Sequence, residues 1–258
     1  MEHKGQTGFE IPPSPTYDIG YTLLSGDVDV DMKLRLPVMF RLFQDIAGLH
    51  SNNLGSGVEY LADEHRATWV LVRAKAEIAR LPGLFENIKI RTWPQAPARV
   101  YNRDYYIFGE DGEVAVRSSS VWVIMNIDTR DIITGPIVDF SKVDFLKERA
   151  LGGMLPRFRG KPDEPALVYE KTLRFSDMDY NGHANNTKYV EFAADAFSVD
   201  EIRQKKMKSI EINFDHEASE GETLQINRAD IEAEPDKAYV DGTLKGDGKC
   251  IFRSVFEF

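Results

Sequence analysis

The stretch FSDMDYNGHANNTKYVEF, Phe175 to Phe192, places two aspartates, three asparagines and a histidine ahead of an amphipathic run. Alternate residues of an extended loop point to one side, so Asp179, Asn181 and His183 can bring a carboxylate, an amide and an imidazole together. The helix predicted to follow begins with free N–H groups and the positive end of its dipole. This arrangement suits polarising a carbonyl group and positioning a water molecule. It offers no serine or cysteine nucleophile beside the histidine.

Three other interpretations of this loop compete with a catalytic one. Its spacing matches the start of an EF-hand calcium loop, but Lys188 stands where that loop needs a bidentate glutamate. A zinc site would need more nitrogen or sulfur ligands, and the other histidines show no ligand spacing. Asn185 or Asn186 can cap the following helix, but capping leaves His183 unexplained. We therefore expect no metal in this loop.

The bulk composition disfavours several classes of protein. The 258 residues include 42 acidic and 32 basic side chains, a net charge of −10 that argues against nucleic-acid binding. No apolar run approaches the roughly 20 residues that span a bilayer, so we expect no membrane insertion. The N-terminus shows neither a signal nor a transit pattern, and the single cysteine, Cys250, fits a reducing compartment. We expect a cytoplasmic protein.

The chain has the pattern of two copies of one layout, each a strand, a helix and about four strands. Subtracting 150 from the residue number aligns the two copies. The pairs at this offset in the polar loop are Asp179 with Asp29, Asn181 with Asp31, and His183 with Lys33. Only the second copy has the asparagine and the histidine. One half is therefore expected to be catalytic, and the other to serve as scaffold or pocket wall.

Composition also predicts where the halves begin and end. We expect a flexible N-terminal tail over residues 1–15 and a first domain over 16–149. A linker rich in glycine, proline and charge covers 150–166, and a second domain covers 167–258.

The run DMDYNGHANNTKY is similar to the D-x-N-x-H-x-N-N-x-x-Y signature of the acyl–acyl carrier protein thioesterases. TWVLVRAKAEI, IKIRTWP and RSSSVWVIMNIDTR (Arg117–Arg130) resemble segments of that family's first domain. INFDHEASEGETLQ (Ile212–Gln225) resembles the second-domain segment that carries a catalytic glutamate. A cysteine often follows that glutamate in plant members, whereas Ala218 stands here. The likeness covers most of the chain.

The resemblance implies an α+β fold of two tandem hotdog domains, each an antiparallel sheet wrapped around a long central helix. The two domains should pair as a pseudo-dimer. The residues that match the signature and the glutamate, and so take catalytic roles, are Asp179, Asn181, His183 and Glu217. Asp177 is left as a helper or a surface residue. An apolar acyl pocket is implied largely in the first domain. Its candidate wall residues are Phe43, Trp69, Leu71, Trp122 and Ile124.

The reaction implied is hydrolysis of a fatty acyl–acyl carrier protein thioester, without a cofactor, either by water that Glu217 and His183 activate or by direct attack of the carboxylate. Because the carrier and this chain are both acidic, docking needs a local basic field. Candidates for that field are Arg157, Arg159, Lys161 and Lys205–Lys208. Two alternatives stay open, an acyl-coenzyme A thioesterase of the hotdog superfamily and a non-catalytic acyl-binding protein. The sequence also leaves open whether two chains form a homodimer.

Overall fold

Strands from both halves form one ten-stranded antiparallel sheet in the computed structural model of the chain. The structure describes residues 14–141, 143–155, 162, 165–231 and 233–258. The strands of the first half are β1 (Tyr17–Thr22), β2 (Ala67–Ile78), β3 (Asn87–Pro94), β4 (Tyr101–Phe108) and β5 (Val114–Asn126). Those of the second half are β6 (Ala166–Thr172), β7 (Ser209–Phe214), β8 (Thr223–Asp230), β9 (Lys237–Leu244) and β10 (Cys250–Glu257).

The strand order shows the twofold plan. It runs β1-β3-β4-β5-β2 through the first half and β7-β10-β9-β8-β6 through the second. From its outer edge inward, each half therefore repeats the same order. The halves join where β2 pairs with β7, from Arg73 opposite Asn213 to Glu77 opposite Ser209. This continuous sheet confirms the predicted α+β fold and the pairing of the two halves.

Four α-helices pack against the sheet in the described residues. They are α1 (Leu36–Asn53), α2 (Val58–His65), α3 (Asn186–Ala194) and α4 (Val199–Gln204). α1 begins with Pro37 in its first turn, where the missing N–H breaks no helical bond. Its apolar side, including Met39, Phe43 and Ile46, is buried in a core shared with Tyr189 and Phe192 of α3. The two central helices therefore meet inside one core.

The second central helix is shorter than its apolar pattern predicts. The spacing of apolar residues continues to Phe197, but α3 ends at Ala194. Ser198 then caps α4, because its hydroxyl accepts from the N–H of Glu201 at 3.2 Å and the Glu201 carboxylate accepts from the N–H of Ser198 at 2.9 Å. A cap of this kind starts a new helix, so the apolar pattern ends at Phe197 in the turn between the two short helices.

Most of the predicted tail and about half of the predicted linker fall outside the described residues. Residues 1–13, 156–161, 163 and 164 are not described, so the domain boundaries stay a prediction. Of the helices that are described, none is both long enough and apolar enough to cross a membrane.

Candidate active site

The quoted loop is a tight hairpin directly before α3. The N–H of Asp179 donates to the carbonyl of His183 at 2.8 Å, and Oδ1 of Asp179 accepts from the N–H of Asn181 at 2.8 Å. Gly182 lies at the turn with a φ of +79°, a left-handed conformation that glycine adopts without strain. The carboxylate of Asp179 thus shapes the loop that presents the other two side chains.

The first half contains the same hairpin with different side chains. The N–H of Asp29 donates to the carbonyl of Lys33 at 2.8 Å, and Oδ1 of Asp29 accepts from the N–H of Asp31 at 2.9 Å. Asp29 and Asp179 therefore have the same structural task, which supports an internal duplication. The carboxylate of Asp31 pairs instead with Arg203 of α4 at 2.7 Å.

Glu217 lies beside His183, with 3.5 Å between Glu217 Oε2 and His183 Nε2. Two hydrogen bonds between the neighbouring segments keep His183 and Glu217 close together. The N–H of Ala184 donates to the carbonyl of Ala218 at 2.8 Å, and the N–H of Ala218 donates to the hydroxyl of Tyr189 at 3.2 Å. The segment that carries the acid is thereby fastened to the loop and helix that carry the imidazole.

Both members of this pair reach solvent. The side chains of His183 and Glu217 are 32% and 42% exposed. In the first half, the N–H of Leu34 donates to the carbonyl of Pro82 at 2.9 Å, as the N–H of Ala184 does to that of Ala218, so Leu81 stands at the position of Glu217. The first half therefore lacks the acid as well as the imidazole.

The start of α3 offers a free donor next to this pair. Oδ1 of Asn185 accepts from the N–H of Thr187 at 2.9 Å and caps the helix, as the sequence predicted. The N–H of Asn186 has no acceptor among the described residues. It is available for an oxygen of a bound molecule, with the helix dipole behind it.

Arg130 joins the cluster from the first half, and the sequence pattern assigned it no role. Its guanidinium forms an ion pair with Oε2 of Glu217, the same oxygen that faces His183. The φ of Arg130 is +64°, a region that non-glycine residues rarely occupy. Oδ1 of Asn126 stabilises this loop by accepting from two backbone N–H groups, both at 2.9 Å. A contact across 87 residues leaves no local sequence signal.

Asp177 is buried and structural, so the expectation of a surface residue is wrong. Its side chain is 2% exposed, and its Oδ2 accepts from the N–H of Arg174 at 2.9 Å. The ammonium groups of Lys171 and Lys188 lie 3.1 Å and 3.9 Å from its carboxylate. These two cations occupy the surroundings that a calcium ion would need. Among the described residues, no group of three or more His, Cys, Asp and Glu side chains could hold a metal.

A cavity of about 1310 Å³ extends from this cluster into the first half. Trp69, Leu71 and Trp122, three of the predicted wall residues, line it together with the polar loop. The other two do not. Phe43 packs in the core with its ring centroid 4.8 Å from that of Tyr105, and Ile124 is 1% exposed in a small core cluster. Both were chosen for apolar character, which core and pocket residues share.

Both halves of the chain match models of one protein family. The profile of the Acyl-ACP thioesterase N-terminal domain matches residues 14–136, and that of the Acyl-ACP thioesterase C-terminal domain matches residues 160–254. The chain belongs to the acyl-ACP thioesterase family. The two profiles occupy the two halves that the sheet order separates.

Curated members of the acyl-ACP thioesterase family are distant relatives of this chain. Oleoyl-acyl carrier protein thioesterase 2, chloroplastic, of Arabidopsis thaliana is 24% identical over 227 residues, which are 81% of this chain and 61% of that protein. Palmitoyl-acyl carrier protein thioesterase, chloroplastic, of the same plant is 27% identical over 186 residues, 69% of this chain and 45% of that protein. The chain thus spans 45% to 61% of the length of these two relatives.

Solved structures of family members share the fold. An acyl-ACP thioesterase from Bacteroides thetaiotaomicron superposes with a TM-score of 0.86 at 23% identity, covering 95% of this chain and 98% of that one. A 12:0-ACP thioesterase from Umbellularia californica gives a TM-score of 0.78 at 19% identity, covering 98% of each chain. These likenesses confirm the predicted double hotdog fold.

Proposed function

We propose that the protein hydrolyses the thioester of a fatty acyl–acyl carrier protein, releasing a free fatty acid and the thiol of the carrier. The observation that carries this proposal is the contact between His183 and Glu217 on a large cavity, in a chain of this family. Trp69, Leu71 and Trp122 give that cavity apolar walls for an acyl chain. A role in fatty acid synthesis is part of the same proposal.

Glu217 is the general base of this reaction. Its Oε2 faces Arg130 and His183, whereas its Oε1 has no partner in the described part of the chain. Oε1 accepts a proton from water while the water oxygen attacks the thioester carbon. The side-chain amide of Asn181, which likewise lines the cavity and bonds to no described residue, holds the water or the thioester.

Attack by water places a negative charge on the thioester oxygen. The free N–H of Asn186 and the dipole of α3 stabilise that oxyanion. Collapse of the tetrahedral intermediate then breaks the C–S bond, and the leaving sulfur takes up the proton held by Glu217. One water is consumed, and one carboxylic acid and one thiol are formed.

The neighbouring side chains position the base. His183 and Arg130 both contact Oε2 of Glu217 and so turn Oε1 toward the cavity. Among the described residues, the carboxylate of Asp179 accepts hydrogen bonds only from the backbone of its own hairpin, at the N–H groups of Asn181 and His183. Its part in the reaction is therefore to shape the loop.

The test is hydrolysis of a graded series of acyl–carrier protein thioesters, with the matching coenzyme A thioesters as comparison substrates. We expect a higher kcat/KM for the carrier thioesters. His183→Ala should lower kcat about tenfold, because it removes one of the two groups that orient the Glu217 carboxylate, an effect on the order of a charged hydrogen bond. His65→Ala, at the end of α2, is the matched control and should leave kcat unchanged. If the wild-type protein hydrolysed neither series, the proposed activity would be wrong.

An acidic carrier needs a basic surface on which to dock. Arg157, Arg159 and Lys161 lie outside the described residues. The other basic run, Lys205–Lys208, is described. Nζ of Lys208 donates to the carbonyl of Phe258 at 2.6 Å, and Nζ of Lys205 lies 5.3 Å from the centroid of the Phe258 ring. If this run attracts an acidic carrier, kcat/KM should fall as salt rises. A cytoplasmic location and a homodimer stay predictions.

A further inference from the structure

A buried arginine lies on the cavity wall far from the proposed catalytic pair. Arg103 of β4 lines the cavity and is 8% exposed. Its guanidinium donates to Nδ1 of His50 at 2.9 Å, to Oγ1 of Thr92 at 3.4 Å and to Oγ of Ser51 at 3.4 Å. These acceptors leave part of its five-donor capacity unused.

All three acceptors are neutral. Nε2 of His50 lies 2.9 Å from the carbonyl of Ser14, so it carries the proton and leaves Nδ1 free to accept from Arg103. Burial and, after it, the charge of Arg103 lower the pKa of His50 to about 4. His50 is therefore uncharged at neutral pH and cannot balance a second charge.

No carboxylate of the described residues balances the guanidinium either. The nearest acid in sequence is Asp104, but neighbouring residues of a strand point to opposite faces. The Asp104 carboxylate accordingly bonds to Ser119 and to Nε2 of Gln95, the latter at 2.5 Å. Burying a charge without a counter-charge costs free energy. Because Arg103 lines the cavity, a molecule bound there can supply the acceptor that the protein does not.

The position of Arg103 places it at the far end of the acyl path. Glu217 follows β7, and β4 lies three strands away across β2 and β5. At the usual strand spacing this is about 14 Å. The wall between them includes Trp69 of β2 and Trp122 of β5. An acyl chain entering at the catalytic pair thus passes apolar walls before it reaches the guanidinium.

We infer that Arg103 determines which chain terminus the cavity accepts, and this inference rests on the proposed hydrolysis of acyl thioesters. A methyl terminus that reached the guanidinium would displace its water without replacing the hydrogen bonds. Acyl chains that end in a methyl group therefore bind only up to a length that does not reach Arg103. A terminal hydroxyl or carboxylate supplies the acceptor oxygen that the guanidinium lacks. The substrate class favoured at full cavity length is an acyl chain with an oxygen at its end.

The first test needs no variant. The kcat/KM of the wild-type protein is measured with plain acyl–carrier thioesters of rising length, up to the length at which it falls. At that length, the thioester with a terminal hydroxyl should be hydrolysed about tenfold better than the plain one, as one hydrogen bond to a charged group predicts. Equal or poorer hydrolysis of the hydroxylated chain would overturn the inference.

The second test separates this inference from the proposed activity. Binding of dodecanoic and longer fatty acids and of their terminal hydroxy forms is followed by the fluorescence of Trp69 and Trp122, which line the cavity. The preference for the hydroxy acid should persist in Arg103→Lys and vanish in Arg103→Met, which should also bind longer plain acids. A preference that survives in a folded Arg103→Met protein, checked by thermal unfolding, would contradict the inference even if no thioester is hydrolysed.

Discussion

The two halves share one arrangement of strands and helices, and they differ in a few side chains at the proposed site. Asp29 and Asp179 close the same hairpin, yet only the second half adds an imidazole and an acid to it. His183 and Glu217 therefore distinguish the half that we propose to be catalytic from the half that supports it. The supporting half still contributes Arg130 to the cluster.

Arg130 should act through Glu217 and not independently of it. Arg130→Gln removes the ion pair that orients the carboxylate, so kcat should fall about tenfold, an effect on the order of a charged hydrogen bond. Introduced into a Glu217→Gln background, the same change should have little further effect, because coupled residues are not additive. The measurement is a double-mutant cycle on kcat.

The control for this cycle is Arg91→Gln, which breaks an ion pair with Asp18 at 2.7 Å elsewhere in the first half. It should leave kcat unchanged. Fully additive losses from Arg130 and Glu217 would show that the guanidinium does not work through the carboxylate.

His50 should make the folded protein sensitive to acid. Its pKa is lowered to about 4 in the folded state, against about 6.5 when unfolded, so the unfolded chain binds the proton first as pH falls. The stability linked to neutral His50 is complete above about pH 6.5 and is lost as the pH falls toward 4, by up to about 3 kcal/mol. Urea unfolding at several pH values measures this change in the free energy of unfolding. His50→Gln should flatten the pH dependence in this window.

At the scale of elements, the N-terminus of α3 contains both the helix cap and a free N–H group. Asn185 caps it through two hydrogen bonds to Thr187, to the N–H at 2.9 Å and to the hydroxyl at 2.8 Å. The same turn presents the free N–H of Asn186. The cap of the helix and the position of the proposed oxyanion donor therefore both depend on Asn185.

Asn185→Ala and Ser198→Ala each remove a helix cap, from α3 and α4 respectively. Both variants should lose about 1 kcal/mol of unfolding free energy, the usual value of a cap. Only Asn185→Ala should also lower kcat, since α4 does not line the cavity. Denaturant unfolding and steady-state hydrolysis give the two readings. Equal kcat values for the two variants would mean that the start of α3 takes no part in the reaction.

Local patterns in the sequence predicted much of this arrangement. The two-copy layout predicted a central helix in each half, and the sequence placed Asn181 and His183 in a polar loop before the second helix. That loop was expected to be extended, whereas it is a hairpin closed by Asp179. The end of α3 was missed because the apolar spacing was followed past Ser198, although Ser198 and Glu201 form a capping-box pattern that the sequence shows. Phe43 and Ile124 were assigned to the pocket because an apolar residue looks alike in a core and in a pocket wall. Arg130 was missed because its partner lies in the other half.

At the scale of the whole molecule, neither half is complete without the other. β2 and β7 pair edge to edge, and α1 and α3 share one core. The cavity is lined mainly by the first half, and the proposed base is in the second. Each half separated from the other would expose a strand edge and an apolar helix face.

Residues 14–149 and 165–258, expressed separately, should therefore be inactive and prone to aggregation. Co-expressed, they should associate and recover hydrolysis. Size-exclusion chromatography and thioester hydrolysis check this, with the intact chain cut in the linker as a control. An active, monomeric second half would show that the first half supplies neither Arg130 nor the acyl wall to the reaction.

The most direct measurement of the central claim is the kcat of Glu217→Gln on an acyl–carrier protein thioester. The exposed Glu220, three residues away and outside the cavity lining, supplies the matched control Glu220→Gln. Glu217→Gln should lower kcat about 100-fold or more, and Glu220→Gln should leave it unchanged. A folded Glu217→Gln protein that hydrolyses the thioester within a few-fold of the wild-type rate would contradict the account.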